Sequence, residues 1–132
     1  FLIMLIQGCV SEIEKLNKTN QCENCDLQGL DLSKRNLRGV NLTGANLRGA
    51  TMYEVDLREA ILTKADLTGA NLQDAKLTCS DLSGANFAGV DFGKAVLIGA
   101  NMTGVNLTGA DVSGAAFYKT TMPDGAVNNS GC

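Results

Sequence analysis

From Cys25 onward the chain advances in steps of five residues, and no other feature constrains its fold as tightly. The frame reads CDLQG, LDLSK, RNLRG, VNLTG, ANLRG, ATMYE and continues to TTMPD without a slip. The central position runs from Leu27 through Leu32, Leu37, Leu42, Leu47 and Met52 to Phe117 and Met122, twenty units in all, and every centre is Leu, Met, Phe or Val. Two residues before most centres stands a small or apolar residue, as at Val40, Ala45, Ala50, Val55 and Ala60. The residue just before the centre is mostly Asp or Asn, the one after it mostly polar, and the fifth often Gly. A helix with 3.6 residues per turn would scatter these Leu side chains around its surface, and a strand with period two would bury every second one. A chain that turns a corner every five residues puts each centre inside and each Gly at a bend. The small residue in, Asp or Asn out, Leu in alternation is local strand pleating, and Gly supplies the positive φ of a tight turn.

This pattern resembles the pentapeptide-repeat family, whose consensus is A(D/N)LxG, over residues 25–124. The resemblance implies an all-β solenoid, a right-handed quadrilateral β-helix with four units per circuit, so that residues twenty apart stack. A twenty-residue period is visible independently. Gly29, Gly49, Gly69, Gly89 and Gly109 keep one corner as glycine, while another carries Lys34, Glu54, Asp74, Lys94 and Gly114. Type II turns are expected at the all-Gly corner and type I-like turns where Lys, Glu or Asp replaces Gly. Twenty units make about five coils, a rod of about 24 Å at the strand spacing of ~4.8 Å. Phe87 and Phe92 are adjacent centres, where a wider tube is expected. Arg35 holds an inward position that prefers Ala, and in the first coil it is expected to swing out or cap the core.

The expected domains are an N-terminal apolar segment and capping helix over 1–24, the β-helix over 25–124 and a tail over 125–132. A solenoid must cover its terminal coils. Ser11-Glu-Ile-Glu14 has the capping-box pattern and predicts a short helix over about 11–18, with Ile13 and Leu16 facing the first coil. Residues 1–10, FLIMLIQGCV, are nearly all apolar but too short to span a bilayer. Three readings stand: a backward extension of the cap along one helical stripe, the remnant of a secretory signal, or an anchor. Phe1 is not an initiator Met, the expectation for a chain read from inside a longer precursor, and LIQGC resembles a lipobox in which Cys9 would be lipidated. The tail after Pro123 lacks core residues and is expected to pack across the last coil or back along a side.

Five Cys in a small chain suit an oxidising compartment. Cys22 and Cys25 form CENC where the cap helix meets the first coil, and a structural disulfide is expected there. A redox-active pair belongs at a helix start in a thioredoxin-like setting, which these neighbours do not supply. A Cys79–Cys132 bridge is within reach of the tail, and Cys9 is left for lipidation or a free thiol. The chain has no His, which removes the commonest general base and neutral metal ligand. No catalytic, cofactor-binding or metal-binding residue is assigned. The Asp and Asn rows read as short polar side chains that satisfy backbone groups at turns, in preference to a calcium array. No glycine loop has a Walker or Rossmann context.

A net charge of −3 argues against nucleic acid as partner, because such binders carry a basic patch or stripe. Solenoids present regular surfaces to macromolecules, and the expected function is a non-catalytic protein-binding or scaffolding module. Val96, Ile98, Ala116 and Tyr118 fall on one face in adjacent coils, apolar where the repeat is normally polar, and are the candidate partner patch. The CxxCDL start and MPDG tail ending in Cys are similar to small cyanobacterial and plastid members of the family. That resemblance implies the thylakoid lumen or periplasm, membrane attachment through residues 1–10, and association with a photosynthetic membrane complex. Two alternatives stand beside it. One is a DNA-mimicking topoisomerase-binding protein, which needs a strongly negative face that Arg38, Arg58, Lys34 and Lys94 interrupt. The other is a thiol–disulfide redox protein using Cys22 and Cys25.

Overall fold

Each five-residue unit forms one flat side and one corner, and the backbone hydrogen bonds show why the unit repeats without error. In the unit centred on Leu27, the Leu27 amide donates to Asn46 O at 2.8 Å, and the corner amide of Gly29 donates to Arg48 O at 2.9 Å. The coil above returns a bond from Asn46 N to Cys25 O at 2.8 Å, and Leu30 N closes the turn on Leu27 O at 3.3 Å. Four of the five amides in a unit are thus used by backbone. The computed structural model describes residues 12–129, and this scheme recurs from coil to coil until the last, where the amides of Leu107, Gly109, Val112 and Gly114 have no further coil to reach.

Parallel bridges join residues twenty apart, from Gln21↔Asn41 to Asn101↔Thr121. Only one residue per side pairs before the chain turns, so no side lengthens into a continuous strand. Four faces result. The centres are Cys22, Leu42, Leu62, Leu82, Met102 and Met122 on the first; Leu27, Leu47, Leu67, Phe87 and Leu107 on the second; Leu32, Met52, Leu72, Phe92 and Val112 on the third; Leu37, Leu57, Leu77, Leu97 and Phe117 on the fourth. Leu27, Leu47 and Leu67 are each fully buried in register. Phe87 and Phe92 meet edge to face, ring centroids 5.1 Å apart, while the bridges at Asn86 and Asp91 continue without interruption. Val112, at 39%, is the one exposed centre among the described residues, and Leu107 and Met122 are half-buried, because no further coil stacks on this end.

The turns correct the expectation from residue type. Every corner from Asn24 to Lys119 has positive φ, eleven glycines and nine other residues, including Lys34 (62°), Glu54 (55°), Asp74 (57°) and Lys94 (61°). The residues just before these corners do not have positive φ, so the turns are type II-like throughout and not type I-like where Gly is replaced. The cause is the ladder: the corner amide must reach the carbonyl of the next coil, as Lys34 N reaches Tyr53 O at 2.8 Å. Stacking overrides a left-handed penalty of about 1–2 kcal/mol per residue.

Before the coils, helix α1 covers 12–19. It agrees with the expected span to within a residue, though Ser11 of the capping box lies outside the described residues. Leu16 is buried against the first coil and Ile13 half-buried. Glu12 Oε2 accepts the Asp26 amide at 3.1 Å, and Asn20 Nδ2 donates to Arg38 O at 3.0 Å. Arg35 is half-buried and its guanidinium donates to Asn17 Oδ1 on α1, so of the two expected arrangements it takes the one that ties the cap to the first coil. The bridge ladder starts at Gln21, four residues before the expected boundary, because Cys22 is small and apolar enough to serve as a centre.

At the other end β1 (Thr120–Thr121) pairs antiparallel with β2 (Val127–Asn128), with Thr120 opposite Asn128. The tail therefore folds back as a hairpin along the first face. Thr120 fills an inward position normally held by Ala, and its hydroxyl donates to Leu97 O at 2.7 Å. Ser80 does the same to Leu77 O at 2.7 Å. The apolar stretch 1–10, with Cys9, lies outside the described residues.

Candidate functional site

The amide left over in each unit, that of the residue after the centre, faces outward and is taken by the Asp or Asn two residues earlier. On the second face every coil does this: Asp26 Oδ1 accepts Gln28 N, Asn46 accepts Arg48 N, Asp66 accepts Thr68 N, Asn86 accepts Ala88 N and Asn106 accepts Thr108 N, at 3.0–3.3 Å. The Asp and Asn rows thus do the turn work expected of them. Among the described residues, no group of three or more His, Cys, Asp or Glu could hold a metal ion.

The fourth face departs from this. Asn36 and Asp56 hold the amides of Arg38 and Arg58, but the next three coils carry Lys76, Val96 and Ala116 at that position. The amides of Thr78, Ile98 and Tyr118 consequently have no acceptor among the described residues. No other face loses this bond in consecutive coils. The sequence-selected patch lies here: Val96 bridges Ala116, Gly99 N donates to Tyr118 O at 2.9 Å, and Val96, Ile98, Ala116 and Tyr118 are all half-buried. The structure brings the four together. It adds Lys76, which bridges Val96 from the coil below, and Lys119, whose Nζ stands 5.3 Å from the Tyr118 ring centroid, within cation–π range. The signal for these additions was the run of non-Asx residues at 76, 96 and 116.

Toward the N-terminal end the same face is charged. Arg58 holds Asp56 through two bonds of 2.8 and 2.6 Å, which keeps the Asp56 carboxyl below its ordinary 3.8 and raises Arg58. Arg38 pairs with Glu59. On the third face a cleft of about 290 Å³ is lined by Gln73, Asp74, Asp91, Gly93, Lys94, Asp111 and Ser113. Gln73 Nε2 already donates to Asp91 Oδ2 there at 2.6 Å.

Cys22 and Cys25 form a disulfide with Sγ atoms 2.05 Å apart, both buried. Cys79 is exposed at a corner and is bonded to no other cysteine among the described residues; its expected partner Cys132 lies outside them.

Set beside known proteins, the family model for pentapeptide repeats matches residues 25–63, 52–89 and 85–122. The chain belongs to the pentapeptide-repeat family. Its fold is accordingly the right-handed quadrilateral β-helix of that family. A pentapeptide-repeat protein of the cyanobacterium Cyanothece 51142, Rfr23, is similar at 27% identity and a TM-score of 0.73, covering 90% of this chain and 98% of its own. AT2G44920, a pentapeptide-repeat protein of the Arabidopsis thaliana thylakoid lumen, shares 34% identity at a TM-score of 0.73, over 82% of this chain and 72% of its own. The pentapeptide-repeat protein alr5209 of Nostoc Pcc 7120 shares 31% identity at a TM-score of 0.51, over 70% of this chain and 81% of its own. No curated protein sequence matches.

Proposed function

We propose that this pentapeptide-repeat protein is a non-catalytic binding or scaffolding module of an oxidising, extracytoplasmic compartment such as the thylakoid lumen, and that its protein partner docks on the fourth face. The observation that carries the reading is the coincidence, in consecutive coils, of outward apolar side chains with outward amides that find no partner among the described residues. Ile61, Val112 and Val127 are more exposed but lie off this face, and a contiguous apolar patch is the kind of surface that marks interaction sites. The compartment is supported by the similarity to a thylakoid-lumen protein and by the Cys22–Cys25 disulfide. Both sulfurs are buried beneath α1, which favours a structural bridge over dithiol turnover. No helix among the described residues is long and apolar enough to cross a membrane; attachment through residues 1–10 and association with a photosynthetic membrane complex extend the same proposal.

The test compares wild type with Val96→Asp/Ile98→Asp as baits on solubilised thylakoid membranes, with quantitative mass spectrometry and circular dichroism to confirm that both are folded. A partner retained by wild type and lost by the variant is the expected result. A partner held equally by both baits overturns the assignment of the face.

A further inference from the structure

We infer that the fourth face takes an acidic protein segment, one presenting carboxylates beside an apolar side chain. This rests on the reading of that face as the docking surface and adds the chemistry of what docks.

The first argument is the distribution of charge. The whole chain is −3, but the outward and corner positions divide it unequally. The third face carries five carboxylates (Asp31, Glu54, Asp74, Asp91, Asp111) against Lys34 and Lys94, while the fourth carries four cations against two carboxylates. Those two, Asp56 and Glu59, are already held by Arg58 and Arg38. Lys76 and Lys119 make no direct ion pair among the described residues, Lys76 acting on Asp56 in the coil below only through its charge, and they bracket the apolar patch at its two ends.

The second argument is the backbone. The carbonyls of Lys76, Thr78, Val96, Ile98, Ala116 and Tyr118 all accept bonds from the coil below, from Leu57, Glu59, Leu77, Cys79, Leu97 and Gly99. The amides of Thr78, Ile98 and Tyr118 are not used. At these outward positions the backbone therefore offers donors, one per coil at roughly the 4.8 Å strand spacing, while the corner carbonyls of Cys79 and Gly99 at the edge of the strip accept no bond among the described residues. A partner burying the strip must supply acceptors, since a buried unpaired amide is costly. Carboxylates meet the amides and both lysines at once, through charge-assisted bonds. Val96, Ile98 and Tyr118 lie half-buried in a flat surface, whereas an interfacial membrane site immerses its apolar face by ~5–10 Å. The geometry favours a protein over a lipid surface.

The experiment is an amide NMR titration of the disulfide-intact chain at low salt with three probes. These are the peptide acetyl-Asp-Leu-Glu-Phe-Asp-amide, its counterpart with Lys at each acidic position, and vesicles of phosphatidylcholine and phosphatidylglycerol. The acidic peptide is expected to shift the Ile98 and Tyr118 amides and to bind about tenfold or more tighter than the basic one, with the preference falling as salt is added. Lys76→Glu with Lys119→Glu removes the preference, and Val96→Asp/Ile98→Asp removes binding of both peptides. Equal shifts from acidic and basic peptides would leave the docking face standing and overturn the acidic inference. No shift at Ile98 or Tyr118 from any probe would overturn both. Shifts from vesicles alone would replace the protein partner with a lipid surface.

Discussion

Asn86 stands one coil below Asn106, and the Asn106 amide Nδ2 donates to Asn86 Oδ1 at 3.2 Å while that same oxygen accepts the Ala88 backbone amide at 3.1 Å. One side-chain oxygen thus completes the hydrogen bonding of its own turn and ties the turn to the coil above. Asn86→Ala is expected to lower stability by about 1 kcal/mol in urea unfolding. Lys76→Ala, at an equivalent position that holds no amide, should cost less.

The corners give an opposite prediction. Lys64 has φ 60° and no hydrogen bond beyond the ladder, so Lys64→Gly relieves a left-handed residue and should raise stability by about 1 kcal/mol, partly offset by the entropy of Gly in the unfolded chain. Gly69→Ala, at φ 71° with nothing within 4 Å of the added carbon, should cost about 1 kcal/mol through strain alone. Gly44→Ala should cost about the same or slightly more, because the new carbon would meet Asn24 Oδ1, the end of an exposed side chain that can rotate away. Thermal and urea denaturation of the three variants checks the order.

The period of five, the twenty-residue circuit and the inward stack are legible because each is written many times: a Leu, Met, Phe or Val at every centre is a signal that noise in one unit cannot hide. The turn type at Lys34 or Asp74 is not, since residue type reports only local preference while the amide of each corner is committed to the coil above. Cys22 escaped as a centre because it stands beside the helix and its type suggested only a bridge. In the candidate site, the four apolar residues could be read from their departure from the repeat. Lys76 and Lys119 are not legible in that way, because one joins the patch through its bridge to Val96 and the other through its approach to the Tyr118 ring.

Acid should weaken the fold. Asp56 is held below its ordinary 3.8 chiefly by the Arg58 side-chain bond. In Asp66 burial pushes the other way but loses to bonds from Thr68 and Arg48. A carboxyl depressed in the folded state contributes stability that is fully present above 3.8, the unfolded value, and is lost as pH falls through the lower folded value. Denaturation midpoints should be level above that pH and decline below it, and Asp56→Asn should flatten the decline.

The Cys22–Cys25 disulfide spans a sequence separation of 3, so its effect on the unfolded chain is small, about 2 kcal/mol by loop entropy. Because coils interact with their neighbours, reduction should loosen α1 and the first coil and leave the middle coils intact. Amide protection at Leu16 and Leu27 is expected to fall on reduction, with protection at Leu72 and Leu82 unchanged.

Hydrogen exchange of the amides that follow the centres tests the central claim, that the fourth face alone leaves a run of outward donors open. Thr68, Ala88 and Thr108, each held by an Asp or Asn, should exchange slowly, and Thr78, Ile98 and Tyr118 should exchange faster in the same folded molecule. Equal protection at Ile98, Tyr118 and Ala88 would contradict the account.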